Sequence, residues 1–281
     1  MKILLAVDGS AYSRRAARLL ARLPLKKEPR ITVLHVVDPA ALAEPLPLSP
    51  LAALKYGQLM REELRRQRRA ADRIAAEAAR RLAGRWPRTQ GVVVSGHPAE
   101  QIIARAKRER AELILIGSRG LSDIRSFLLG SVSHAVATRA PCPVLVVRGG
   151  RPAITRWLLA ADGSPSSEAA MRWMARHWNP DGLRGTALYV WDYPLPPHPA
   201  GLPLQMVNDR YLEPLRKAGF TSAAKAVVGH AADQIVTTAR RTRADVIVIG
   251  SRGLTGLKRV WMGGVSHQVV KHAPCSVLVV R

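Results

Sequence analysis

The stretch GSRGLSDIRSFLLGSVSHAV occupies residues 117–136, and GSRGLTGLKRVWMGGVSHQV occupies residues 250–269. Both obey the spacing G-x2-G-x9-G, with Gly117, Gly120 and Gly130 in the first stretch and Gly250, Gly253 and Gly263 in the second. The glycines hold their places while most residues between the second and third change. A pattern that recurs along a chain is read before any local signal, because it sets the number of structural units.

Working outward, residues 96–148 align on 229–281 without a gap, and more than half of the positions are identical. The front ends also match: LLAVDGSAYSRRAA (4–17) mirrors LLAADGSPSSEAAM (158–171), and TVLHVVDP (32–39) mirrors TALYVWDYP (186–194). The middles differ, the first copy being longer. Such a repeat is too long for a solenoid unit, so each copy is a whole domain. The expected domains are 1–148 and 155–281, joined near GGRPAI (149–154).

Within the first copy, apolar runs at 3–7, 31–37, 91–95, 113–116 and 143–148 alternate with amphipathic patterns at 11–22, 51–84, 98–110 and 131–139. Continuous β-branched runs fit parallel strands covered on both faces. Alternating strands and helices imply a parallel α/β sheet with right-handed crossovers. Each copy ends on VLVVR with no helix after it, an edge strand able to pair with its counterpart.

The glycine pattern starts where the strand 113–116 ends. Ligands of open α/β sheets bind beyond the carboxyl ends of the strands, where the strand order reverses. Gly117 and Gly120 let backbone approach a ligand and tolerate positive φ. Gly130 and Ser131 stand before a helix, whose free N–H groups and positive end suit phosphate. Ser131 is expected to cap that helix. Asp8 ends the first strand and faces the same crevice if strands one and four are neighbours; its carboxylate suits a ribose hydroxyl or, through water, Mg²⁺. The competing reading is that the glycines only shape turns and helix packing. The pattern is neither a phosphate loop with G-K-[ST] nor a G-x-G-x-x-G fingerprint.

The formal net charge of the 281 residues is +24. That points either to an Arg-biased composition or to nucleic acid or an anionic surface. Only 61–73, REELRRQRRAADR, is locally dense. No apolar run approaches the ~18 residues of a membrane helix, and MKILLAVDGS reads as a buried strand rather than a signal peptide. Cys142 and Cys275 stand at equivalent places in APC tripeptides, which suits core packing in a reducing cytoplasm. His134 and His267, beside Ser133 and Ser266, do not make a hydrolytic pair, since helix neighbours do not face each other. No Cys/His spacing suits zinc. His97 and His230 fit a capping or surface role. Trp157, Trp173, Trp178 and Trp191 read as core filling, and 193–203 as an extended connection or a lid.

Taken together, AVDGS (6–10), LHVVD (34–38), GHPAEQII (96–103) and GSRGLSDIRSFLLGS (117–131) resemble, in order, the motifs of universal stress protein domains. The resemblance covers nearly the whole chain, twice. It implies two tandem Rossmann-like domains of the adenine nucleotide alpha hydrolase type, each a five-stranded parallel sheet of order 3-2-1-4-5 flanked by helices. It implies pairing through the fifth strands, here an intramolecular pseudo-dimer, with a further homodimer allowed. One branch of the family binds ATP, with Mg. Carried over by position, Ala6, Val7 and Asp8 line the nucleotide, and Val36 holds adenine through its backbone. Ile116, Gly117 and Gly120 sit by ribose and phosphates, and Gly130, Ser131 and Val132 cradle the phosphates. Ala161, Asp162, Val190, Gly250, Gly253, Gly263 and Val265 repeat these places, but Gly264 replaces Ser131 and removes a hydroxyl donor. Arg119 and Arg252 reach phosphates or stay solvated. The resemblance implies a nucleotide-dependent stress regulator with at most slow hydrolysis. A nucleic-acid-binding module and a structural partner with degenerate sites are the alternatives.

Overall fold

The computed structural model describes residues 1–42, 50–120, 129–149, 151–191, 202–253 and 262–281, without the side chains of 41–56 or 202–203. The first half runs β1 (Lys2–Ala6), α1 (Ala11–Ala21), β2 (Arg30–Val37), α2 (Pro50–Ala83), β3 (Thr89–Ser95), α3 (Pro98–Glu109), β4 (Leu113–Gly117), α4 (Ser131–Arg139) and β5 (Val144–Val147). The second half repeats it as β6 (Arg156–Ala160), α5 (Pro165–His177), β7 (Arg184–Trp191), a broken helix, β8 (Thr221–Val228), α8 (Ala231–Thr242), β9 (Val246–Gly250), α9 (Gly264–His272) and β10 (Ser276–Val280). The broken helix consists of α6 (Leu202–Val207), a π-helical turn at Asn208–Leu212 and α7 (Glu213–Lys217).

All ten strands form one sheet, ordered β3-β2-β1-β4-β5-β10-β9-β6-β7-β8. Every neighbouring pair is parallel except β5 and β10, which run antiparallel with Leu278 opposite Leu145. VLVV and SVLVV are buried along their whole length. That is expected of strands covered on both faces and flanked on both edges. Helices α1, α2, α5, α6 and α7 cover one face, and α3, α4, α8 and α9 cover the other. The apolar core on each face runs unbroken through both halves.

The repeated final arginines explain themselves at this seam. Arg148 donates from Nη2 to the carbonyls of Val270 (2.6 Å) and Lys271 (2.8 Å), in the last turn of α9. Arg281 donates in return to the carbonyl of Ala137 (2.7 Å) in α4. A cation at a helix C-terminus meets unsatisfied carbonyls and the negative end of the dipole. Between the two clamps, the rings of His134 and His267 lie edge to face with centroids 4.9 Å apart.

The copies keep one frame but pack it differently. Ile3 stands opposite Ile31 in the first half, whereas Trp157 stands opposite Gly185 in the second. A Cβ on Gly185 would lie 2.1 Å from the Trp157 carbonyl and 2.2 Å from its indole, so the large residue requires the absent one. Trp157 and Trp178 do fill the core, but Trp173 and Trp191 are only partly buried. Of the 193–203 connection, residues up to 201 lie outside those described, and Leu202 already starts α6. His97 and His230 are the N-cap residues of α3 and α8, without a side-chain cap bond. Cys142 and Cys275 are free and buried, and burial pushes both thiols up to about 12, so they act as core residues.

Two expectations follow. Leu278→Ala removes side-chain atoms from the seam core and should cost about 2–5 kcal/mol in urea unfolding; a loss within error would show that the seam is not a folding element. Burial also lowers the pKa of His35, His134 and His177 below 6.5. For His35, whose Nδ1 is buried without a partner, burial outweighs the opposing carboxylates of Asp8 and Asp72. The unfolded chain therefore takes up protons first, and stability is full above pH 6.5 and falls as pH drops from there toward the folded values. His35→Tyr, which copies Tyr189 of the second half, should make urea midpoints measured between pH 7 and 5 fall less steeply.

Candidate functional site

Between β1 and β4 the strand order reverses, and a cavity of about 240 Å³ opens at their carboxyl ends. Its floor is apolar: Leu34 and Val36 from β2, Ile116 from β4, and Pro98 and Ile102 one turn apart on α3. The rim holds Ala6, Val7, Asp8, Gly117, Arg119, Gly120, Gly130, Ser131 and Val132. The structure thus brings all eleven first-copy residues named from the sequence to one cavity. The second half builds the same crevice, of about 310 Å³, with Ala161, Asp162, Val190, Gly250, Arg252, Gly253, Gly263, Gly264 and Val265 on its wall. Residues 121–128 and 254–261, inside each glycine pattern, lie outside the described residues.

The carboxylate is set by local chain geometry. Asp8 Oδ1 accepts the amide of Ser10 (2.9 Å), and Ser10 in turn caps α1 by accepting the amide of Ser13 (3.1 Å). Asp162, Ser164 and Ser167 repeat this (2.9 and 3.2 Å). Such Asx and N-cap bonds fix a turn without using the second carboxylate oxygen. That oxygen lies 3.0 Å from where a Cβ on Gly120 would stand, and the Asp162 oxygen lies equally close at Gly253. The second glycine of the pattern therefore makes room for the carboxylate.

The first glycine has another task. Neither Gly117 nor Gly120 takes a positive φ, so the freedom a glycine offers there is not used. A Cβ on Gly117 would lie 2.8 Å from the Tyr12 backbone, and on Gly250 2.6 Å from that of Ser166. These glycines let the first turn of α1 or α5 press against the strand end.

The cap of α4 also differs from expectation. The N-cap is Gly130 (φ −66°, ψ 150°), whose carbonyl accepts the amide of His134, and Ser131 is the first helical residue with an exposed side chain. The extended backbone of a cap needs no side chain, so the Ser131 hydroxyl stays available at the cavity mouth, beside first-turn amides that have no intrahelical acceptor. Gly263 and Gly264 repeat the backbone without the hydroxyl. Ser133 is committed elsewhere, donating to the carbonyls of Ser118 (2.9 Å) and Gly130 (3.0 Å). These are alternative acceptors for one hydroxyl, and with His134 turned to the seam no hydrolytic pair forms. Arg119 donates to the Tyr12 hydroxyl (3.2 Å), which holds it over the rim.

Sequence reasoning missed the floor residues Leu34, Pro98 and Ile102, and Ser13 and Ser133 on the wall. The alternation of Leu34 with Val36, and the one-turn spacing of Pro98 and Ile102, carried the signal. Among the described residues no group of three or more His, Cys, Asp or Glu could hold a metal ion.

Gly117→Ala and Gly250→Ala should each destabilise the chain by about 1–3 kcal/mol in urea unfolding. Gly264→Ala, which meets nothing within 4 Å, should leave it unchanged or slightly raised. Equal effects at the three positions would contradict the packing argument.

The sequence profile of the universal stress protein family matches residues 1–148 and again 154–281. A universal stress protein of Thermus aquaticus is 38% identical over 148 residues, covering 52% of this chain and 97% of its own. One of Mycolicibacterium smegmatis is 29% identical over 293 residues, covering 99% of this chain and 96% of its own. The crystal structure of a universal stress protein from Archaeoglobus fulgidus overlays with a TM-score of 0.70 at 21% identity, covering 100% of this chain and 96% of that one. The fold, the twice-built crevice and two matches to one profile lead to one conclusion: the chain belongs to the universal stress protein family, with the family's sequence unit present twice.

Proposed function

We propose that the chain binds ATP, with Mg²⁺, in its two crevices and serves as a nucleotide-dependent stress-response regulator. The observation that carries this reading is the convergence, at each switch point, of an apolar floor, one carboxylate and the amides of a helix N-terminus. An apolar slot between Val36 and Ile116 suits a purine ring. The free oxygen of Asp8 suits a ribose hydroxyl or a water on Mg²⁺. The first turn of α4 suits phosphate, because its N–H groups and dipole are already oriented. The magnesium would supply charge neutralisation on the phosphates.

The two sites differ by one hydroxyl. A hydrogen bond to a charged group contributes roughly 1.5–3 kcal/mol, or about 10–150-fold in affinity. The first crevice, with Ser131, is the tighter site and the second, with Gly264, the weaker. Among the described residues, Asp8 is the one carboxylate lining the first crevice, and no histidine lines it. Hydrolysis is accordingly slow, below about 1 s⁻¹. The antiparallel β5–β10 seam serves, in this reading, as an intramolecular pseudo-dimer, and the buried free thiols suit the cytoplasm.

Calorimetry of the full chain with Mg-ATP should show two unequal sites. Ser131→Gly should weaken the first at least about tenfold, and Gly264→Ser should bring the second close to it. Absence of heat at millimolar Mg-ATP, with no nucleotide released from purified protein by heating, would leave the crevices as inherited scaffold and end the proposal.

A further inference from the structure

A further cavity, of about 710 Å³, is centred away from the nucleotide crevices. It lies on the opposite face of the first half, between α1 and α2, and closes against the end of β5. Its volume is in the range of small-molecule pockets. The floor is apolar, formed by Leu19, Ile74, Leu82 and Val147.

The rim is arginine. Helix α1 contributes Arg14, Arg15 and Arg18 and its C-cap Arg22, α2 contributes Arg81, and the chain after β5 contributes Arg148 and Arg151. The one carboxylate, Glu77, is already paired with Arg81. Arg14 donates to the Gly9 carbonyl, Arg15 lies over the Tyr12 ring, and Arg148 clamps α9. Arg18, Arg22 and Arg151 make no ion pair or side-chain hydrogen bond among the described residues. Guanidinium groups around one hollow repel each other, and a bound anion relieves that repulsion. Their planar forks match phosphate oxygens in pairs.

The second half shows what a structural version of this place looks like. Counted back without a gap from Gly96 and Gly229, Ala78 corresponds to Tyr211, and by the matched front ends Ala17 corresponds to Met171. Tyr211 is fully buried, its hydroxyl bonded to Ser167 (2.7 Å) and to the amide of Gly163 (2.9 Å). The π-helical turn at Asn208–Leu212 holds that residue. Large side chains fill the second half where small ones leave the first half hollow.

We propose that this groove is a second ligand site, for a diphosphate carrying an apolar body. The arginine rim takes the head, and the apolar floor takes the body. The groove opens on the other side of Val7 and Ser13, which it shares with the wall of the first crevice.

Farnesyl diphosphate is a suitable probe, with inorganic pyrophosphate and farnesol supplying head and body alone. Calorimetry on the full chain should give a Kd for farnesyl diphosphate of about 1–50 µM, with each fragment at least tenfold weaker. Ala78→Tyr, which copies the second half, should abolish binding. Arg18→Gln/Arg22→Gln, a pair of surface changes checked by circular dichroism, should weaken it at least about tenfold and stands as the test if Ala78→Tyr does not fold. No binding, binding that survives both variants, or pyrophosphate binding as tightly as the full probe would each overturn the proposal. So would duplex DNA that binds more tightly and ignores Ala78→Tyr, since the arginines would then be a general polyanion face.

Discussion

Two four- or five-residue strands with no polar side chain but Ser276 decide the architecture. β5 and β10 are apolar on both faces, so helices must cover them, and each would end its half as an unpaired edge. A bare apolar edge is an invitation to aggregate. Antiparallel pairing of Leu145 with Leu278 satisfies both ladders and joins two cores into one on each face. The clamps of Arg148 and Arg281 then satisfy helix C-terminal carbonyls across the seam. The antiparallel relation has a functional consequence. The parallel strands of the two halves point in opposite directions, so the two crevices open at opposite ends of the sheet. Neither can share a ligand with the other, and the halves touch both at the seam, where His134 meets His267, and where Pro24–Lys26 meets Ala175–Asn179.

Much of this was legible in the residues. The duplicated glycine spacing announced two equivalent units, and alternating runs announced parallel strands. The carboxyl end of the fourth strand located the crevice, because strand order and helix polarity leave few places for a ligand. The same logic located Asp8, since a first strand followed by D-G-S must turn there. What was hidden depends on contacts between segments far apart. Gly117 looked like a residue for ligand approach, yet its missing side chain accommodates Tyr12 of α1. Ser131 looked like a cap, yet Gly130 takes the extended conformation one residue earlier. A one-residue shift of a cap has no signature in composition, but it moves a hydroxyl from the helix backbone to the cavity mouth.

The differences between the copies follow from volume conservation. A duplicated core tolerates substitution when its total volume is kept. Ile3 with Ile31 in one half stands as Trp157 with Gly185 in the other, a compensated difference between neighbouring strands. Ala78 against Tyr211 is not compensated at Ala17, which is also small where the second half has Met171. An interior that lost packing without compensation would cost stability for each methylene missing. The hollow at α1 and α2 avoids that cost only by being open to solvent and ringed with arginine, which water and anions can satisfy.

Duplication also frees each half from identical duty. A homodimer carries the same crevice twice by symmetry, and any change in one appears in both. In this chain the seam is internal, so Ser131 and Gly264 can differ while the sheet that supports them stays common. The same freedom lets one helix layer close with Tyr211 and the other stay open. The strand register across β5 and β10 constrains the frame, and the residues at the helix N-termini and on the outer helices are where the two halves have been able to specialise.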